Sequence, residues 1–247
     1  MGILRALYLA VINLVYPANC PVCGAGLSPF EDSPLCPDCL RETCFIRGRA
    51  CAGCGLPLPE ALPAGDGFLC GECRMTRRYF FRAISAFVYE GPVKELIHVF
   101  KYSGRAYLAG FFAAAIADAM KGRVEVSGEE VVVPVPIHRA RLRGRGYNQA
   151  GEIARRLAGL LGLKVELKVL RRLTQPAFQV GLTRSQRREN IKGCFRVADR
   201  RTVKNRRFFL VDDVYTTGST LDECSRVLLR AGAESVIAIT AARDILG

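Results

Sequence analysis

Apolar positions along the chain fall into two regimes. From residue 83 onward, short continuously apolar runs alternate with segments whose apolar residues return every three or four positions. From residue 18 to about 75 neither period holds. Runs of the first kind read as strands buried on both faces, and the second kind as amphipathic helices. "AISAFVYEG" (83–91) predicts a strand, and "PVKELIHVFKYSG" (92–104) a helix with Pro92 in its first turn. "AYLAGFFAAAIADAM" (106–120) is a second helix and "EVVVPVP" (130–136) a buried strand stopped by prolines. "NQAGEIARRLAGLLG" (148–162) is a helix closed by Gly162. Strand "VELKVL" (165–170) and a long polar stretch over 172–193 follow. Strand "FFLVDD" (208–213), helix "TLDECSRVLLRAGA" (220–233) and strand "SVIAITAA" (235–242) close the chain. This alternation predicts an α/β fold with a central parallel sheet flanked by helices over 83–247. Ligands of such sheets bind beyond the carboxyl ends of the strands.

The first third is built differently. "MGILRALYLAVINLVYPANC" predicts a short apolar helix over 1–17, ending at Pro17. Arg5 and the apolar stretch after it suggest a signal peptide, but no small-residue cleavage site follows. The run is short and broken by Asn13, so no transmembrane span is expected, and the cytoplasm is the expected location. Residues 18–75 hold four C-x-x-C pairs: Cys20/Cys23, Cys36/Cys39, Cys51/Cys54 and Cys70/Cys73. A C-x-x-C turn delivers two thiolates from one bend, and Zn2+ takes four in a tetrahedron. The module is therefore expected to hold two structural zinc ions, which replace a core it is too short to build. Two ligand pairings fit the order: successive pairs, or an interleaved cross-brace joining the first pair to the third. Hairpin-sized gaps favour the successive pairing. Cys44, Cys194 and Cys224 read as ordinary small buried residues.

Charge sharpens the picture. The formal net charge is +13, and 20 basic but only 4 acidic residues lie between Arg139 and Arg207. Such a field attracts phosphorylated small molecules, nucleic acid or anionic lipid. Against it, "FFLVDDVYTTGST" (208–220) places Asp212 and Asp213 at the end of an apolar strand. Tyr215, Thr216, Thr217, Gly218, Ser219 and Thr220 then lead into a helix. Backbone N–H groups at a helix N-terminus, short hydroxyls and a glycine form a cradle for a phosphate. The two carboxylates suit neighbouring hydroxyls such as a ribose diol, or a divalent cation. Neither G-x-x-x-x-G-K-[ST] nor G-x-G-x-x-G is present, and Val214 stands where an aspartyl-phosphate enzyme needs a second acid. The arginines of "HRARLRGRGYNQA", Arg139, Arg141, Arg143 and Arg145, read as a cationic loop suited to multidentate phosphate contact. Lys101 is a further candidate. His98 and His138 are given no catalytic part.

"FFLVDDVYTTGST" resembles the phosphoribosyl-pyrophosphate (PRPP) signature of type I phosphoribosyltransferases. With "VPVPIHRARLRGRGYNQA" (133–150), "TQPAFQVGLTRSQRRENIKGCF" (174–195) and the four C-x-x-C pairs, nearly the whole chain resembles the ComF family. The resemblance implies a type I phosphoribosyltransferase fold carrying a small N-terminal double zinc ribbon. It implies that Asp212 and Asp213 face the ribose and are the catalytic pair, and that Tyr215 to Thr220 hold the 5′-phosphate. It implies pyrophosphate contacts from Lys101, Arg139, Arg143 and Arg145, with Mg2+ accompanying PRPP. The stretch 172–193 becomes a flexible lid carrying Gln175, Gln179, Arg184, Arg188 and Asn190. The acceptor of the phosphoribosyl group is not named by the sequence. The family also implies a part in natural competence and DNA uptake, beside a competence helicase. A contrasting reading is a non-catalytic factor whose basic face and zinc head bind single-stranded DNA or a protein.

Overall fold

The structure, a computed structural model, describes residues 18–28, 33–59, 67–174 and 184–245. The expected helix over 1–17 lies outside the described residues. Five strands form one parallel sheet in the order β1 (Arg82–Val88), β7 (Ser235–Arg243), β6 (Arg207–Tyr215), β2 (Val131–Pro134) and β3 (Lys164–Val165). Every neighbouring pair in it is parallel. Strand β6 shows why both faces must be covered. Phe209 and Val211 join one apolar core, while Phe208 and Leu210, one step out of phase, join the other.

The first core is closed by α3 (Gly91–Tyr102), α4 (Ala109–Met120) and α6 (Gln149–Leu161), which contribute Leu96, Phe100, Phe112, Ile116, Ile153 and Leu157. The second is closed by α8 (Ser219–Arg230) through Leu221, Cys224 and Leu228. Gly162 ends α6 in the left-handed region, as the sequence implied. Among the described residues no helix is long and apolar enough to cross a membrane.

Three expectations change. The cationic stretch after β2 is not a loop but a helix, α5 (Arg139–Arg145). Arg, Ala and Leu are good helix formers, His138 Nδ1 accepts from the Ala140 N–H at 3.3 Å, and Gly146 closes the helix at φ 79°. "VELKVL" is not one strand. Val165 ends β3 at the sheet edge, and Leu170 begins β4 (Leu170–Arg172), which pairs antiparallel with β5 (Phe195–Val197). The stretch 172–193 is not wholly a loop, since its second half forms α7 (Arg184–Ile191).

The cysteine module carries α1 (Pro37–Arg41) and α2 (Gly71–Met75), each beginning beside a cysteine. Its halves pack on different cores. Cys20, Cys36 and Cys39 join the first, whereas Cys51, Cys54 and Cys70 join the second.

Candidate functional site

Sheet topology fixes where a site can form. The chain leaves β2 toward β3 on one side, and leaves β6 toward β7 on the other. The crevice between the carboxyl ends of β2 and β6 is thus the point where connections diverge, the usual ligand position in open α/β sheets. Helix α5 follows β2 there, and Asp212, Asp213 and the loop 216–218 end β6 there. Asn148, at the start of α6, donates through Nδ2 to the Val135 carbonyl at 3.1 Å and ties the two segments after β2 together.

The acidic pair lies inside β6 rather than beyond it. Successive strand residues point to opposite faces, so the two carboxylates meet different surroundings. Asp213 Oδ2 stands 3.0 Å from Lys101 Nζ, at the end of α3, and both side chains are largely buried. Burial lowers the Lys101 pKa, but the Asp213 carboxylate outweighs it and leaves the ammonium above its ordinary value. Asp212 accepts from the Asp213 N–H at 2.9 Å. Loss of water raises the Asp212 carboxyl to about 7, and the adjacent Asp213 charge adds to that. Lys101 and Arg172 pull the other way.

The loop after β6 has the form of an anion cradle. Gly218, at φ 72°, is the N-cap of α8, and no side-chain bond caps that helix. A Cβ at 218 would lie 2.3 Å from Tyr215 Oη, so only glycine fits. Thr217 Oγ1 and Ser219 Oγ are hydrogen-bonded to each other at 2.9 Å, and either hydroxyl can be the donor. Thr216 is exposed, Thr217 and Thr220 half-buried. The Tyr215 ring is buried in the core, and its hydroxyl end reaches the loop from beneath at Gly218.

Among the expected phosphate contacts, Arg139 and Arg143 are exposed on α5. Arg145 is held: it donates to Gln149 Oε1 and Tyr102 Oη, each at 3.2 Å, and its guanidinium lies over the Tyr102 ring. Arg184, Arg188 and Asn190 lie on α7, while Gln175 and Gln179 fall outside the described residues. Sequence reasoning missed Arg172. It packs over the Phe195 ring, and burial and the nearby Arg141 charge lower its pKa. Nothing in "VLRRLTQ" sets it apart from the other arginines of the basic segment.

The cysteines gather as two clusters, Cys20–Cys23–Cys36–Cys39 and Cys51–Cys54–Cys70–Cys73, with the sulfurs of each within 4.8 Å of one another. The successive pairing is therefore the one adopted. Cys23 and Cys36 sulfurs are 3.5 Å apart, and those of Cys54 and Cys70 3.7 Å. A zinc tetrahedron with Zn–S of about 2.3 Å has edges of about 3.8 Å, so both clusters fit Zn2+. Four thiolates close such a site to substrate, which leaves it a structural part.

Three comparisons bear on this arrangement. Residues 11–74 match the double zinc ribbon domain, and residues 109–245, more than half of the chain, match the phosphoribosyl transferase domain. Competence protein F of Haemophilus influenzae is 32% identical over 68% of this chain and 75% of its own. DNA utilization protein YhgH of Salmonella typhimurium is 30% identical over 90% of this chain and 96% of its own. Competence protein ComFC of Bacillus subtilis is 26% identical over 86% of this chain and 85% of its own. A double zinc ribbon set on a parallel-sheet phosphoribosyltransferase domain, in a chain aligned along most of its length with these relatives, places the protein in the ComF family.

Proposed function

We propose that the chain binds PRPP with Mg2+ in the crevice between β2 and β6 and transfers its phosphoribosyl group to an acceptor. The observation that carries this reading is the convergence there of an acid pair, a glycine-capped phosphate cradle and a cationic helix. The 5′-phosphate would lie on the N–H groups of 217–220, where the helix dipole favours an anion. The ribose diol would donate to Asp212 and Asp213. Pyrophosphate would face Lys101 and α5. In the free protein Lys101 and Asp213 neutralise each other. On binding they would part, Lys101 to a phosphate oxygen and Asp213 to a sugar hydroxyl, so each has a partner in both states. In the transfer the C1–oxygen bond breaks and its electrons leave with pyrophosphate. A bond forms from C1 to the acceptor, whose proton goes to solvent or to a neighbouring base. Mg2+ held by the pyrophosphate oxygens would neutralise part of the charge that leaves with them. Arg172 and Arg141 add positive charge on the same side as Asp212.

The test is thermal unfolding with Mg2+–PRPP, ribose 5-phosphate and pyrophosphate in turn. PRPP is expected to raise Tm more than either fragment, as a ligand spanning both subsites must. No rise with any of the three overturns the reading. The relatives' names extend the proposal to competence and the utilization of DNA.

A second reading, contact with single-stranded DNA, is favoured by one surface. The linker between ribbon and sheet exposes Phe81 (73%) and Tyr79 (45%) beside the exposed Arg74 and Arg77. This is the aromatic interleaving that residues 139–207 lack, and bases stack on such rings.

A further inference from the structure

Arg243 is the last residue of β7 and is 4% exposed. A buried cation needs partners, and this one finds a carbonyl and an aromatic face. Its Nη1 donates to the Cys54 carbonyl at 2.5 Å. Its guanidinium lies over the Tyr215 ring, 4.2 Å from the centroid. Tyr215 is its register partner across β6 and β7. The hydroxyl end of Tyr215 in turn abuts Gly218, the N-cap of α8, closely enough to exclude a Cβ there. One buried column thus runs from a zinc-ligand residue to the hinge of the phosphate cradle.

The second ribbon is anchored to the same column by its backbone. The Gly53 carbonyl accepts from the Ala83 N–H of β1 at 2.8 Å. A Cβ on Gly55 would lie 2.4 Å from the Ala83 carbonyl oxygen, so the ribbon sits directly on the strand. The Tyr79 N–H, just beyond α2, donates to Asp222 Oδ1 in the first turn of α8 at 2.6 Å. The first ribbon packs on the opposite core and takes no part.

We infer that Arg243 is a positioning residue through which the second cysteine cluster, Cys51–Cys54–Cys70–Cys73, sets the backbone of the cradle 216–219. Metal in that cluster fixes the Cys51–Cys54 turn and so the direction of the Cys54 carbonyl. The carbonyl holds Arg243, Arg243 holds the Tyr215 ring, and the ring holds Gly218 in its left-handed conformation. Affinity for a sugar 5′-phosphate is therefore linked to occupancy of the second zinc site and not the first. The inference deepens the proposed function and rests on it for the identity of the ligand.

The experiment uses the full zinc-loaded chain and two readouts. These are calorimetric titration of ribose 5-phosphate, and amide hydrogen exchange over 216–221 with α6 as internal reference. Arg243→Met is expected to keep both zinc ions, to bind ribose 5-phosphate about tenfold more weakly, and to exchange faster at 216–221 but not in α6. Arg243→Lys, which still donates to the carbonyl, is expected to recover part of both. Wild-type affinity and wild-type exchange in Arg243→Met overturn the inference. Should that variant fail to fold, Cys73→Ser decides with Arg243 intact. Exchange at 216–221 must then rise while the first site keeps its zinc, and unchanged exchange overturns the linkage. Should the zinc-loaded wild type not bind ribose 5-phosphate, the ligand assignment fails, and the exchange arm alone judges the coupling.

Discussion

Asp212 shows how a single side chain reports its setting. Its folded-state carboxyl is raised toward 7, so the fold prefers it neutral. The stability this lends is fully present below the ordinary value near 4 and is lost as pH rises through about 7. The ligand-free protein is thus expected to melt lower at pH 7.5 than at pH 5 on account of this group, and Asp212→Asn should flatten that decline. Tm measured across this range for both chains checks it. Gly218 is the second telling residue. Gly218→Ala meets both a positive φ and the Tyr215 hydroxyl, and is expected to cost about 1–3 kcal/mol in denaturant unfolding. It should weaken PRPP as well. Both positions were visible in "VDDVYTTGST" as chemistry: two acids, hydroxyls and a glycine at a strand-to-helix junction. The pairing of Lys101 with Asp213 was not, because 112 positions separate them and only the docking of α3 against β6 joins them. Arg243 was also missed, although a charged residue directly after the apolar run "SVIAITAA" is a signal of a cation at a buried strand end.

Among the elements, the two ribbons give the sharpest test of connectivity. With successive pairing, Cys23→Ser together with Cys39→Ser empties one cluster and leaves the other whole. One zinc per chain is then expected by elemental analysis, against two in the wild type. A cross-brace would lose both. Long periodic segments were read well, since α3, α4, α6 and α8 each present an apolar stripe to a sheet face. Short ones were not. "VELKVL" alternates correctly, but alternation fixes which face a residue takes and not which strand it pairs with, so its two ends joined different sheets. The arginine stretch 139–145 is a helix and not the loop that its density of charge and its glycines imply. Arg, Ala and Leu outweigh the single Gly144 between His138 and Gly146, which is the make-up of a short capped helix.

In the whole molecule, the cores on the two sheet faces each carry one ribbon, so the zinc module is part of the fold rather than a pendant. The positive charge is concentrated on one stretch, and the linker adds exposed rings. If single-stranded DNA stacks on the linker rings, log affinity should fall linearly with log salt, and Phe81→Ala with Tyr79→Ala should weaken binding without altering PRPP affinity. Fluorescence anisotropy with a thymidine oligonucleotide across salt concentrations checks this. The alternation of elements announced the parallel sheet, and strand order then located the crevice, which no local pattern could do. The account's central claim is that this crevice is a PRPP site, and calorimetric titration of PRPP with Mg2+ into the zinc-loaded chain tests it most directly, beside the variant carrying Asp212→Asn and Asp213→Asn. Saturable binding by the wild type that the variant loses is the predicted result, and no binding by the wild type, or equal binding by both, contradicts it.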